Sequence, residues 1–190
     1  MEGESVIVGI ISDTHGSLCG WEKAFKLMKK GGCERIYHLG DVLYHGPRNP
    51  IPDCYDPKNL AERISSSEIE MRFVRGNCDA EIDYDVLGIE KPGRFVVEEL
   101  DGLKLFLTHG HDPKVDEAVE ISREEGVDIL FHGHTHVLRV EKVGNLLIVN
   151  PGSPSLPKGG DPPSFAILDT EGRKVVILSL EGDISEEVKI

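Results

Sequence analysis

Five times along the chain, a short apolar run stops at a cluster of Asp, Asn or His with a glycine beside it. Asp13-Thr14-His15 follows Val6–Ser12, Gly40-Asp41 follows Arg35–Leu39, and Gly76-Asn77-Cys78-Asp79 follows Met71–Arg75. His109-Gly110-His111 follows Lys104–Thr108, and Gly133-His134-Thr135-His136 follows Asp128–Phe131. Each run reads as a buried β-strand. Neighbouring strands lie about 4.8 Å apart, and glycine lets the backbone bend sharply where they end, so five such loops can converge on one pocket. Taken singly, the clusters have plain structural explanations: an Asp at a strand end caps a turn, Asn beside Gly turns the chain, and a lone His satisfies its hydrogen bonds in a core. Recurrence at the same place on successive strands has no such explanation. The chain is constrained to a fold in which several strand ends open on one side, and the gathered carboxylates and imidazoles point to bound metal.

The intervening segments suit that constraint. Trp21, Ala24, Phe25, Leu27 and Met28 recur at helical spacing, and Gly31-Gly32 ends the helix. This opening β-α-β unit favours parallel pairing. Pro47, Pro50, Pro52 and Pro57 mark residues 44–58 as a loop insertion near the pocket, and Asn59–Ser66 reads as a short helix. Asp112-Pro113 is expected to open a helix reaching about Glu125, with Asp as N-cap and Pro at the first helical position. Three hairpins follow from turn chemistry: Phe95–Glu99 with Lys104–Thr108, Val137–Val143 with Leu146–Val149, and Phe165–Leu168 with Val175–Leu180. A βα-rich first half and a hairpin-rich second half fit two sheets packed face to face with helices outside, in a single domain over residues 1–190. His38 and His132 fall within strands and read as structural, whereas His45 and His111 lie close enough to line the pocket.

Composition limits the ligand. Asp and Glu number 34 against 21 Lys and Arg, for a net charge of −13, which argues against long nucleic acid or an anionic membrane as partner. A phosphorylated small molecule stays compatible, because bound cations reverse the local field. The four cysteines form no CxxC pair and read as free thiols in a reducing compartment. Met1–Ser5 is short and acidic with no signal-peptide pattern, and no apolar stretch approaches the roughly 18 residues of a membrane span. A cytoplasmic location is the expectation; oligomeric state is left open, a homo-oligomer included.

In the order D-x-H, G-D, G-N-x-D, H and G-H-x-H, the five clusters resemble the calcineurin-like metallophosphoesterases over roughly residues 8–136. Gly40–Leu43, His45–Asn49, Gly76–Asp79, and Asn150–Ser153 through Pro157–Gly160 are similar to the YfcE-type phosphodiesterase subgroup, which extends the likeness over nearly the whole chain. The resemblance implies an α/β fold, a four-layer αββα sandwich of two mixed sheets. It implies two divalent ions, one on Asp13, His15 and His136, the other on Asn77, His109 and His134, with Asp41 bridging. Mn²⁺ is favoured on resemblance; an N/O donor set without thiolate also suits Zn²⁺, Fe²⁺ or Ni²⁺. The implied reaction is hydrolysis of a small phosphodiester by a metal-bound hydroxide.

Many relatives carry His where this chain has Cys78. A neutral thiol offers no positive charge to a monoester dianion, so diesters are expected to fare better, with Cys78 and Asn77 at the catalytic position. Arg48 and His111 are candidates for contacting substrate, and Asp79 for orienting a neighbouring group from behind. The rival reading is a protein-binding scaffold of the same fold, as the small retromer subunit is. A scaffold is free to lose ligands, whereas all seven positions here are ligand-competent.

Overall fold

In the computed structural model, which describes residues 5–190, β1 (Ile7–Ile11) leads through α1 (Leu18–Lys30) to β2 (Arg35–His38), then through α2 (Pro57–Ser65) to β3 (Glu70–Phe73). Met1–Glu4, most of the acidic stretch expected to run straight into a strand, lies outside the described residues. After α3 (Glu81–Leu87) come β4 (Phe95–Leu100), β5 (Leu103–Thr108), α4 (Val115–Glu124), β6 (Ile129–Phe131), β7 (Arg139–Val143) and β8 (Leu146–Asn150). β9 (Ser164–Asp169), β10 (Lys174–Ser179) and β11 (Ile184–Lys189) complete the chain.

The strands divide into two mixed sheets, ordered β11-β10-β9-β1-β2-β3 and β4-β5-β6-β8-β7. β1, β2 and β3 run parallel in the first, and β5, β6 and β8 run parallel in the second. Alternation along the strands assigns the faces. In the second sheet Leu105, Leu107, Ile129, Phe131, Leu147 and Val149 point inward to meet Val8, Ile10, Ala166 and Leu168 of the first. Phe106, Leu130 and Ile148 point the other way, onto Ala118 of α4. On the outer face of the first sheet, Ile11 and Ile36 pack under Trp21, Ala24 and Met28 of α1 and Leu60 and Ile64 of α2. Each such large side chain contributes roughly 1.5–3 kcal/mol when fully buried. The result is the four-layer αββα sandwich.

Several details differ from expectation. Asp112-Pro113 is a cis peptide that turns the chain ahead of α4, which starts at Val115 with Lys114 as its N-cap. α2 begins at Pro57, because the Asp56 carboxylate accepts from the Asn59 N–H (3.2 Å) and Pro takes the first helical turn; the loop insertion therefore ends at Asp56. β3 is a sheet edge with Glu70 and Arg72 exposed, so the run before Asn77 is only half buried. Two elements were not foreseen. β11 is almost wholly exposed, and α3 buries only Tyr84 and Leu87.

The reading of four free thiols is corrected. Cys19, in the first turn of α1, and Cys54, near the end of the loop insertion, form a disulfide; Cys33 and Cys78 are free. Backbone pairing explains why the two meet: the Leu18 N–H donates to the Cys54 carbonyl (3.1 Å), and Asp56 N–H to Gly16 (2.8 Å). No helix among the described residues is long and apolar enough to cross a membrane.

Candidate metal centre

Loops after β1, β2 and β3 supply Asp13, His15, Asp41 and Asn77; loops after β5 and β6 supply His109, His134 and His136. All seven side chains expected to ligate metal are thus at carboxyl ends of parallel strands, four from one sheet and three from the other. Reaching inward forces unusual backbone. Asp13, His15, Asp41, His134 and His136 have φ of 57°, 47°, 57°, 69° and 59°, the left-handed region that costs a residue with a Cβ on the order of 1–3 kcal/mol. Glycine makes the close approaches: a Cβ at Gly133 would collide with Ser12 Oγ and Asp13 Oδ2, and one at Gly76 with the Asp41 backbone and carboxylate.

Donor spacing is that of ligands around a common ion. N and O donors about 2.1 Å from one cation at octahedral or tetrahedral angles lie about 3–3.5 Å apart. His15 Nε2 is 3.1 Å from His136 Nε2 and 3.6 Å from Asp13 Oδ1, and His136 Nε2 is 3.4 Å from Asp13 Oδ1. In the second group, His109 Nε2 is 3.1 Å from Asn77 Oδ1, 3.2 Å from His134 Nδ1 and 3.5 Å from Asp41 Oδ2. Asp41 Oδ2 also lies 3.7 Å from His15 Nε2, so one oxygen faces both groups.

The proton inventory turns spacing into chemistry. His15, His136 and His109 each donate Nδ1–H to a backbone carbonyl, of Tyr44 (2.8 Å), Leu156 (2.7 Å) and Leu39 (2.8 Å) respectively. In the neutral rings Nε2 then carries only a lone pair, so His15 and His136 turn two bare lone pairs on each other. Asp13 Oδ1, fully buried, has no hydrogen-bond partner among the described residues. Buried acceptors that face one another are reconciled by positive charge between them, a metal ion or a proton on one ring, and Asp13, against burial, pushes His15 up accordingly.

Electrostatics make the same demand. Burial alone would lower His109, but Asp13 and Asp41 outweigh it and push it up to about 9. Against the opposing effect of burial, the surrounding imidazoles hold Asp13 well below the usual carboxylate range, and His109, also against burial, lowers Asp41. His38 and His132 behave as structural residues, pushed down by burial to about 3 and about 4. His38 accepts from the Gly40 N–H (3.2 Å) and donates to Thr14 Oγ (2.9 Å), which donates on to the Val42 carbonyl (2.8 Å).

Asp79 holds the centre from behind. Its carboxylate accepts from the N–H groups of Asp41 (3.0 Å), Val42 (2.8 Å) and Gly76 (2.7 Å), joining the loops after β2 and β3. Asp79→Ala strands three amides, and at about 1–3 kcal/mol for a buried unsatisfied donor urea unfolding is expected to show a loss of at least about 2 kcal/mol. A loss below about 0.5 kcal/mol, the scale of an ordinary surface change, would remove Asp79 from this role. On the other sheet Asn150 donates to the Gly133 carbonyl (3.0 Å) and Thr135 Oγ (2.9 Å), and the Ser153 and Ser155 hydroxyls donate to the Asp13 carbonyl (2.8 and 2.9 Å).

The centre opens into a cavity of about 640 Å³ walled in part by Arg48, Cys78 and Lys158. Arg48 lies where the sequence suggested. Lys158, within the Pro157–Gly160 stretch, was not singled out, yet its N–H donates to the His136 carbonyl (2.9 Å) and its side chain stands at the cavity wall. His111, its ring centroid 5.2 Å from that of His109 and 6.1 Å from that of His134, lines a neighbouring cavity of about 480 Å³ with Arg75 and Tyr84, and Asn77 lines both cavities. His45 stacks edge-on between Tyr44 and Tyr55 at the side of the loop insertion.

Known proteins are similar to this chain in sequence and fold. The family described as the calcineurin-like phosphoesterase superfamily domain matches residues 6–173. Phosphodiesterase YfcE of Escherichia coli (strain K12) is 38% identical over 175 residues, covering 92% of this chain and 94% of its own. A phosphodiesterase of Methanocaldococcus jannaschii is 30% identical over 182 residues, covering 92% and 99%. Among solved structures, the YfcE phosphoesterase from E. coli superposes with a TM-score of 0.85 at 35% identity, covering 97% of this chain and 99% of its own. Vacuolar protein sorting 29 from Cryptosporidium parvum shares the fold, with a TM-score of 0.66 at 21% identity, covering 98% and 99%.

Proposed function

This chain belongs to the calcineurin-like phosphoesterase superfamily, and from that membership and its site we propose a metal-dependent phosphodiesterase that hydrolyses a small phosphodiester. The carrying observation is the set of buried, outward-turned lone pairs on Asp13, His15 and His136. In our reading Asp13, His15 and His136 hold one divalent ion, Asn77, His109 and His134 hold a second, and Asp41 contacts both; Mn²⁺ is our choice for both positions. When bound, the ion pair supplies an acidified water and neutralises charge on the ester during in-line displacement. The scaffold alternative is disfavoured because all seven donors are retained and individually oriented.

The remaining roles belong to the walls. Arg48 and Lys158 bring positive charge to the mouth of a site on an otherwise acidic protein. Asn77, whose amide now donates to Cys78 Sγ (3.2 Å), can turn that amide to a phosphate oxygen while its carbonyl serves the ion. Burial, with Asp41 close by, pushes the Cys78 thiol up to about 12. As a thiol it is a neutral, weak donor, which suits a singly charged diester better than a dianion. His111, one cavity away, would reach an arm of the substrate and not its scissile phosphate.

Substitution at position 78 tests the diester preference. Cys78→His introduces a group that can carry a proton or positive charge, and we expect kcat/KM for a p-nitrophenyl monoester to rise relative to the matched diester by about tenfold, or 1.4 kcal/mol. Cys78→Ser should change little. Equal effects of Cys78→His on both esters would reduce Cys78 to a packing residue. We also propose that residues 1–190 act as one domain and work in the cytoplasm. Fractionation of the source cells tests the compartment: recovery of the protein outside the cytoplasmic fraction would overturn it.

A further inference from the structure

We propose that the groove between Tyr44 and Val86 is a substrate subsite, and that it takes a planar aromatic arm of the ester whose phosphate sits at the metal centre. The proposal deepens the phosphodiesterase reading and rests on it. The groove is a cavity of about 420 Å³ whose walls include Leu43, Tyr44, Tyr55, Pro57, Cys78 and Val86. Tyr44 and Cys78 line this cavity and the metal-centre cavity alike, so the two adjoin along these side chains.

The walls are apolar and already in place. Tyr44 is 41% exposed and Val86 53%, both large apolar surfaces turned to solvent beside the site. Behind them the rings of Tyr44, His45 and Tyr55 stand edge to face, with centroids 4.8 Å and 5.2 Å apart. Tyr55 is bridged to Ser17, and the disulfide at Cys54 anchors the same segment to α1. The backbone carbonyl of Tyr44 accepts from His15 Nδ1–H, so the backbone that carries this ring is tied to the metal centre. A strongly hydrated arm would lose most of its water against these mainly apolar walls, with only Lys58, Asp83 and the tyrosine hydroxyls among the lining groups to replace it. A flat ring would exchange water for face and edge contacts with two tyrosines. The charged groups of the groove, Lys58 and Asp83, are of opposite sign and leave no net field to select an ion.

Phenylphosphonate and methylphosphonate carry the same anion with and without a ring, and each has a single arm, so the position of the ring is unambiguous. Their binding to the Mn²⁺-loaded protein is measured by calorimetry, with metal-free protein as control. In the wild type we expect phenylphosphonate to bind about tenfold more tightly, the size of effect given by moderate burial of one ring. Tyr44→Ala and Val86→Glu, at opposite walls and both on the surface, should each bring the affinity ratio to within about twofold of unity. Equal affinities in the wild type would overturn the proposal, and so would a ring preference that survives both substitutions. Binding of neither phosphonate in the presence of Mn²⁺ would instead count against the metal site itself.

Discussion

Stripping the protein with a chelator is expected to abolish ester hydrolysis, and Mn²⁺ to restore it. The expected fall in kcat is at least about 10⁴-fold, since a metal pair contributes several kcal/mol to the displacement and each factor of ten is about 1.4 kcal/mol. None of the residues in the cavity walls could replace it. Arg48 and Lys158 can attract a phosphate but cannot acidify water, and Cys78 stays protonated. The same treatment should lower the thermal midpoint, because Asp13 Oδ1 and the facing imidazoles of His15 and His136 would lose the cation that reconciles them. Undiminished turnover in protein shown by elemental analysis to be metal-free would overturn the mechanism.

Asp41→Asn is expected to lower kcat by at least two orders of magnitude, about 2.7 kcal/mol or more. Asp41 Oδ2 faces His15 and His109 at 3.7 and 3.5 Å, one from each donor group, while Oδ1 accepts from the Cys78 N–H at 2.8 Å. The amide keeps the shape and removes the one negative charge shared by both positions. Its NH₂ must also either point at the cations or meet the Cys78 N–H donor to donor. Titration with Mn²⁺ should show both ions loosened together. Two ions bound as tightly as in the wild type, with near-normal activity, would show that Asp41 is not the shared ligand.

The candidate metal-site positions were legible because they repeat: a glycine-flanked polar cluster after each of five strands is a pattern that survives without knowing how the strands are ordered. The sandwich was legible for a similar reason, since buried β1, β5, β6, β8 and β9 announce themselves by continuous apolar runs. What escaped notice lacks a local signal. β11 offers mostly Glu and Lys to solvent and is held by pairing with β10. α3 is seven residues long with two buried side chains. Cys19 and Cys54 lie 35 residues apart, and only the folding of the loop insertion onto α1 brings them together. Asp112 and Pro113 carry a helix-opening pattern that the cis bond moves into the turn before it. His111, two residues beyond a ligand, points past Asn77 into the next cavity, a distinction of direction that spacing alone does not encode.

The donors divide four to three between the two sheets, and neither ion position is completed by one sheet alone: Asp13 and His15 need His136, and Asn77 needs His109 and His134. A metal pair bound there would therefore be a clasp across the sandwich as well as a reagent. Buried apolar faces already join the two sheets, and the ions would add a second tie at the rim where the strands end. A cell short of the right cation would hold a molecule looser at that rim.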